Sequence, residues 1–246
     1  MDFKNIDINV DVGEGIGNEL LLMPYIASCN IACGGHTGDS ETMHNVVKLA
    51  KLHGVKIGAH PSFPDRENFG RQPMKMSCAA LFYSIKNQID DLIKVLNKEN
   101  TLLHHVKPHG ALYNMAAVDE RIANVIVEVV KSIALPIKLY VPYKSVIADL
   151  AKKENIEIRY EAFADRNYNS NLTLVSRSEN NAVIEDVDRV FEHVFRMISS
   201  EKVKTIEGLE IDIKADTYCV HGDNPKAVDL IKNLTQKLEL KGYKIR

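Results

Sequence analysis

Residues 106–114 bring together a cation, an imidazole, a phenol and an amide: Lys107, His109, Tyr113 and Asn114. Pro108 stiffens the turn, and Gly110 permits close backbone approach. Residues 102–106 read as a strand, so this group sits where strand gives way to helix. Such strand ends are where parallel α/β enzymes gather their chemistry. Five other strand ends carry comparable groups: Asp11 and Glu14, His36 and Asp39, His60, Asp165 and Arg166, and His221 and Asp223. One histidine before a turn is ordinarily a satisfied polar residue. Four strand ends that each carry one (His36, His60, His109 and His221) point to a shared pocket. Imidazoles and carboxylates gathered there can act as acid and base or hold a metal ion.

Individual residues keep two readings. Lys107 is either a structural cation paired with Asp11 or Glu14, or a group that holds a carboxylate or phosphate. Asp165 and Arg166 form an ion pair at a loop base or a wall of the pocket. Tyr113 and Asn114 start a helix or face substrate. The polar, aromatic loop 60–73, with Asp65, Phe69 and Arg71, suits a lid, and equally a plain surface loop. Neighbours on a strand face opposite ways, so at most one of His104 and His105 looks inward; His105 shares its face with Lys107 and His109. His44, His53 and His193 read as surface or packing residues. The run Gly13-Glu14-Gly15-Ile16-Gly17 is not a phosphate loop, since its spacing is wrong and Glu14 would repel a phosphate. Its glycines let the chain turn tightly while Asp11 and Glu14 face the pocket.

The elements that position these residues alternate. Strands are expected within 6–12, 25–32, 55–59, 102–106, 137–141, 156–163 and 217–220. Helices are expected over 20–25, 40–53, 77–96, 111–133, 143–154, 187–198 and 225–238. Asp39 or Ser40 caps the second helix and Gly54 closes it, with Met43, Val46, Val47 and Ala50 on one face. Pro225 is expected near the first position of the last helix. Residues 172–184 suggest a hairpin excursion, and 204–213 a connecting strand pair. This order predicts a parallel α/β architecture in one domain, 1–246. A (β/α) TIM-like barrel, seven-stranded and distorted, is favoured, with a doubly wound open sheet as the alternative.

Composition narrows the function. With 246 residues, 45% of them hydrophobic and 26% charged, the chain can bury a large core without disulfides or structural metal. A net charge of −2 gives no reason to expect nucleic acid or an anionic membrane surface. No apolar run reaches the ~20 residues of a membrane span, and no signal-peptide pattern opens the chain. A cytoplasmic protein is expected. Cys29, Cys33, Cys78 and Cys219 lack zinc-like paired spacing and read as reduced thiols.

Taken together, the blocks Asp7-x-Asn9-x-Asp11-x-Gly13-Glu14-Gly15-x-Gly17, Asn30 to Asp39, Gly58 to Pro61, Phe69 to Arg71, Val106 to Asn114, Phe163 to Arg166 and Val220 to Asp223 resemble the signatures of the LamB/YcsF family, the group of 5-oxoprolinase A subunits. Three positions depart from the pattern: Gly35 where phenylalanine is expected, Ser62 where glycine is, and Val10 where cysteine is common. The resemblance implies a seven-stranded barrel related to polysaccharide deacetylases. It also implies ATP-dependent cleavage of 5-oxo-L-proline to L-glutamate, giving ADP and phosphate, together with partner subunits B and C. Because the chain has no ATP loop, ATP and its Mg ion are expected on the partners. They would phosphorylate the lactam oxygen, and this chain would add water. In that scheme Asp11, Glu14 or a histidine moves protons, His109 being the first choice. Lys107 and Arg166 neutralise the phosphate or the substrate carboxylate. His36, Asp39, His60, Arg71, Tyr113, Asn114, Asp165, His221 and Asp223 complete the substrate pocket. One rival is a stand-alone metal-dependent deacetylase or amidohydrolase, with Asp11, His36, His60 and His109 as ligands. The other is a lactam-binding protein with no chemistry of its own.

Overall fold

The computed structural model describes residues 4–246. β1 (Lys4–Val12) leads through the short helix α1 (Glu19–Leu22) and a 3-10 turn (Met23–Tyr25) to β2 (Ser28–Ala32). Then come α2 (Ser40–His53), β3 (Lys56–His60), α3 (Cys78–Lys98) and β4 (His105–Val106). The helices α4 (Gly110–Ala116) and α5 (Glu120–Lys131) precede β5 (Lys138–Pro142), α6 (Val146–Lys153) and β6 (Ile158–Phe163). An irregular excursion follows, then α7 (Val187–Ser200) and the antiparallel pair β7 (Lys202–Lys204) and β8 (Glu210–Asp212). The chain closes with β9 (Thr217–Val220), α8 (Ala227–Leu240) and β10 (Tyr243–Ile245).

Strands β1 to β6 pair in parallel in sequence order, β6 pairs with β9, and β9 returns to β1. The last pairing, Asp7 opposite Thr217 through Val10 opposite Val220, closes a seven-stranded barrel and excludes the open sheet.

Alternation along the strands decides what fills this barrel. Ile8, Val10 and Val12 face outward and join the helices in the hydrophobic core. Asn9 and Asp11 are buried too, because their face points into the barrel. Asn9 Nδ2 donates to Thr217 Oγ1 (2.8 Å), and Asn30 Nδ2 donates to Asn9 Oδ1 (2.7 Å) and Asp11 Oδ1 (2.8 Å). His105 Nε2 donates to Asn30 Oδ1 (2.7 Å), and its ring stacks on Tyr140 at 3.8 Å. Gly58 is what admits this imidazole: a Cβ there would lie 2.1 Å from His105 Nε2. His105 is therefore the inward histidine of the pair, as strand alternation requires.

Local chemistry sets the helix bounds. Asp39 caps α2 by accepting from Thr42 N–H, and Gly54, at φ 67°, ends it in the left-handed conformation. The expected helix over 111–133 is two helices. Asp119 accepts from Ile122 N–H at 3.0 Å and starts α5 afresh, so 117–119 break the run. The last helix begins at Ala227, with Lys226 in the cap position and Pro225 ahead of it. In the excursion the hairpin is reduced to isolated bridges, Arg166 with Val183 and Tyr168 with Leu174. The connecting pair expected over 204–213 is β7 and β8. β10, which pairs with the start of β1, carries no sequence signal of its own. Among the described residues no helix is long and apolar enough to cross a membrane.

Candidate active site

Lys107 lies fully buried on the barrel axis just past β4. Its Nζ is 2.8 Å from Asp11 Oδ1, 3.0 Å from Glu161 Oε1 and 3.0 Å from Cys219 Sγ. Burial works against the ammonium, but Asp11, the Cys219 sulfur and Glu161 outweigh it and hold the lysine pKa well above its usual value. Burial likewise pushes Asp11 up, yet His60 and Lys107 together hold it well below the ordinary carboxylate range. Asp11 is thus an ionised acceptor with one oxygen fixed by Asn30 and Lys107, and the other 3.4 Å from His60 Nε2.

A second group stands beside it. Glu14, His36, His60 and His109 are all buried, and each offers one donor atom within 4.8 Å of the others. Glu14 Oε1 lies 3.0 Å from His36 Nε2, 3.5 Å from His109 Nδ1 and 4.0 Å from His60 Nε2. Burial, then Asp11 and Asp223, pushes Glu14 well above the usual glutamate value. Burial, then His60, lowers His36 to about 2, and burial with both other rings lowers His109 well below its ordinary value. His36 and His109 are therefore neutral. Their rings stack at 3.7 Å, with Phe69 edge-on to both.

Hydrogen bonds fix two tautomers. His60 Nδ1 donates to the Lys107 carbonyl oxygen (2.7 Å), and His109 Nε2 donates to the Phe69 carbonyl oxygen (2.9 Å). A carbonyl only accepts, so both of those nitrogens carry hydrogens. Their remaining nitrogens, His60 Nε2 and His109 Nδ1, then face each other across 2.9 Å. A proton on one of them or a cation between them satisfies both nitrogens. Backbone carbonyls that fix the outer N–H of metal-binding imidazoles are a common arrangement. A tetrahedral ion with ligands at about 2.0–2.1 Å sets its donors about 3.3 Å apart, within the spread seen here. The four residues fit a divalent ion. In the metal set expected from sequence, Asp11 is replaced by Glu14. Gly13, at φ 73°, turns the chain so that Glu14 reaches the histidines, while Asp11 is committed to Lys107 and Asn30.

Both groups open into a cavity of about 520 Å³ bordered by Asp11, His60, Lys107, His109, Tyr113, Asn114 and His221. Arg71, Arg166 and Arg177 also line it. Gly110 is required at the cavity wall: its φ is 54°, and a Cβ would lie 2.6 Å from the Gly70 carbonyl oxygen. This contact seats the loop bearing Phe69 and Arg71 against the start of α4. Gly222 does the same for the loop after β9, since a Cβ would lie 2.1 Å from the Asp11 carbonyl oxygen.

Other expected residues act one step back from the cavity. Asp165 accepts from His221 Nδ1 (2.8 Å) and from its backbone N–H (3.2 Å), so it orients His221. Arg166 donates to the carbonyl oxygens of Ala182 and Val175 and pins the excursion. Asp223 pairs with Arg71 and stands 4.0 Å from Arg177. Burial, then Glu161, pushes the Tyr113 phenol well above its usual value. Asp39 is exposed, commits its carboxylate to the α2 cap and does not line the cavity. Sequence reasoning missed Glu161, Arg177 and the positioning amides Asn9 and Asn30. For Glu161 a signal existed: a carboxylate on the inward register of a strand opposite a buried lysine. A larger groove, about 870 Å³, lies between α3 and α5, lined by Cys78, Phe82, Tyr83 and Val125 but by none of the strand-end groups.

Three comparisons place this geometry among known proteins. The chain is 40% identical over 242 residues to the A subunit of 5-oxoprolinase from Haemophilus influenzae (strain PittEE), covering 98% of this chain and 99% of that one. The crystal structure of a lactam utilization protein from Thermus thermophilus superposes with a TM-score of 0.92 at 35% identity, covering 98% of this chain and 99% of the other. A peptidoglycan deacetylase from Bacillus subtilis shares the fold alone, with a TM-score of 0.50 at 12% identity over 99% and 87% of the two chains. The LamB/YcsF family model matches residues 6–246, and the chain belongs to that family.

Proposed function

We propose that this chain is the ring-opening component of an ATP-dependent 5-oxoprolinase, with residues 1–246 as one catalytic barrel domain. The observation that carries the reading is a buried Glu14–His36–His60–His109 cluster that reaches the cavity through His60 and His109, where the cations Lys107, Arg71 and Arg166 also stand. Such a cavity suits an anionic amide that must be attacked by water and must shed a protonated nitrogen. The names of the relatives from Haemophilus influenzae and Thermus thermophilus support lactam chemistry.

A five-membered lactam resists water at neutral pH. Transfer of the terminal phosphoryl group of Mg-bound ATP to the lactam oxygen, on partner subunits B and C, makes the ring carbon electrophilic. Water then adds at that carbon and gives up a proton. Next the C–N bond breaks, the nitrogen takes a proton, and the acyl phosphate left behind hydrolyses to glutamate and phosphate. Loss of phosphate before the C–N bond breaks would only return the lactam, so proton delivery to nitrogen decides the outcome. Asp11 and Glu14 are suited to divide this work, because their surroundings drive their pKa values apart. Ionised Asp11 accepts from water, Glu14 holds a proton, and His109 borders both Glu14 and the cavity. Lys107 stabilises the charge that develops on oxygen.

A second reading rests on the facing ring nitrogens of His60 and His109 within the four-residue cluster. A divalent ion held by Glu14, His36, His60 and His109 would polarise the carbonyl or acidify its bound water. Asp11 and Lys107 keep their roles under either reading.

Reconstitution with candidate partner chains, following ATP-dependent glutamate release, is the test. Single-turnover ring opening by Asp11→Ala and His109→Ala should be slowed at least about a hundredfold, as for loss of a proton-transfer group. Full rates in both variants would sink the assignment. Activity that survives exhaustive chelation favours the first reading, and loss that zinc or another divalent ion restores favours the second.

A further inference from the structure

The rim of the cavity carries guanidiniums that the proton-transfer groups do not engage. Arg71 comes from the loop after β3, Arg166 from the end of β6, and Arg177 from the excursion, yet all three line one cavity. Among the described residues Arg71 and Arg177 share the single carboxylate of Asp223, and Arg166 is held by two backbone carbonyls instead of an acid. Three guanidiniums thus stand at the mouth against the carboxylate of Asp223, with the Asp165 carboxylate one step behind Arg166 and Arg177. Lys107 is matched separately inside the barrel, where Asp11 and Glu161 both contact it.

Geometry at Arg177 adds donors of the right kind. Ser176 and Ser178 flank it, their hydroxyl oxygens lie 2.8 Å apart, and both residues line the same cavity. Planar guanidiniums with neighbouring hydroxyls match the oxygens of a phosphoryl group better than a single carboxylate. The cavity, at about 520 Å³, also has more room than a five-membered lactam fills.

We propose that Arg71 and Arg177, bridged by Asp223, form a subsite for the phosphoryl dianion of a phosphorylated substrate. The inference rests on the activated-lactam reading and adds where the activating group sits. Phosphate oxygens compete with Asp223 for the two guanidiniums, which leaves the ring to point inward at Asp11 and His109. The same subsite takes free phosphate after the acyl phosphate is hydrolysed.

Calorimetric titration of the isolated full chain with inorganic phosphate, and separately with 5-oxoproline, tests this. Wild type should bind phosphate, and Arg177→Gln should weaken that binding about tenfold, the loss expected for one charge-assisted contact. Binding of 5-oxoproline should change by less than about twofold, and Arg177→Lys should recover part of the phosphate affinity. Arg177 is exposed on a loop, so an unchanged thermal midpoint will show that the fold is intact. Undetectable phosphate binding by wild type overturns the proposal, as does equal affinity in Arg177→Gln or equal loss for both ligands. The titration needs no partner and no ATP. Failed reconstitution with intact phosphate discrimination would therefore reject the 5-oxoprolinase reading alone, and the reverse result would reject the subsite alone.

Discussion

Lys107→Met offers the sharpest test of the barrel interior. The substitution keeps the side chain close to its length and removes a charge that sits 2.8 Å from Asp11 Oδ1 and 3.0 Å from Glu161 Oε1. At an effective dielectric constant of about 20, each contact is an attraction of about 5–6 kcal/mol, much of it offset by desolvation. Removing the shared cation strands two buried carboxylates, for which a net cost of about 3–5 kcal/mol is expected. Guanidinium unfolding at pH 7 should show the loss as a lower midpoint with an unchanged slope. Adding Glu161→Gln to the variant should recover part of it, since one stranded charge is then neutral. The pH dependence has a definite sign. Asp11 is held below its unfolded value of about 3.9, so its contribution is complete above about pH 5 and is lost as pH falls from there through its depressed folded value. The gap between wild type and Lys107→Met should therefore narrow in acid. A loss under about 1 kcal/mol at pH 7, flat with pH, would mean that the axis carries no ionised pair and would refute the reasoning.

Chelated protein given zinc at about a hundred times its dissociation constant should gain about 2.7 kcal/mol, or about 5–10 °C in midpoint. His60→Ala should lose that gain and the one-to-one stoichiometry read by elemental analysis; no response in wild type argues for a proton between His60 and His109. Burial lowers His193 to about 4, so stability complete above its unfolded value of about 6.5 should fall by up to about 3 kcal/mol as pH drops toward 4. His193→Leu should remove that part of the acid slope, and superimposable slopes would show that the ring is not held neutral. A Cβ on Gly35 would lie 2.3 Å from Ser62 Oγ and 2.4 Å from Gln88 Oε1, so Gly35→Ala should cost about 1–3 kcal/mol. Ser62→Gly should soften that cost by at least about 0.5 kcal/mol in the double variant, whereas strict additivity would show that the two positions do not share space.

Much of the site was legible because strand ends announce themselves. Asp11, His60, Lys107, His109 and His221 each sit at a switch from alternating to helical pattern, and all border one cavity. What alternation could not say is which way the polar face points. In β1 the series Asp7, Asn9, Asp11 reads equally well as a solvated face, and only closure through β9 turns it inward. Past the strand end the period is lost altogether, which is why Glu14 was not separated from Asp11 as the partner of the histidines. Arg177 was hidden for a related reason: nothing in an irregular excursion fixes where its side chains return, until Arg166 ties it to β6. The break between α4 and α5 was readable, since Asp119 followed by Glu120 is a helix start, but an unbroken apolar period masked it.

Positions 35 and 62 meet at one packing contact with Gln88. Gln88 Oε1 accepts from Ser62 N–H, and Gln88 Nε2 donates to the Ser62 carbonyl oxygen, both at 2.9 Å. These bonds place a polar clamp in the space that a side chain at position 35 would enter. Ser62 Oγ and Gln88 Oε1 both close the space at position 35, so a side chain there would require both to move. The clamp holds the start of the loop after β3, the loop whose Phe69 carbonyl fixes the His109 tautomer and whose Arg71 reaches the rim. Disturbing Gln88 should consequently register at His109 and Arg71 before it registers in the barrel, where Asn9, Asn30 and Thr217 hold Asp11 independently of that loop.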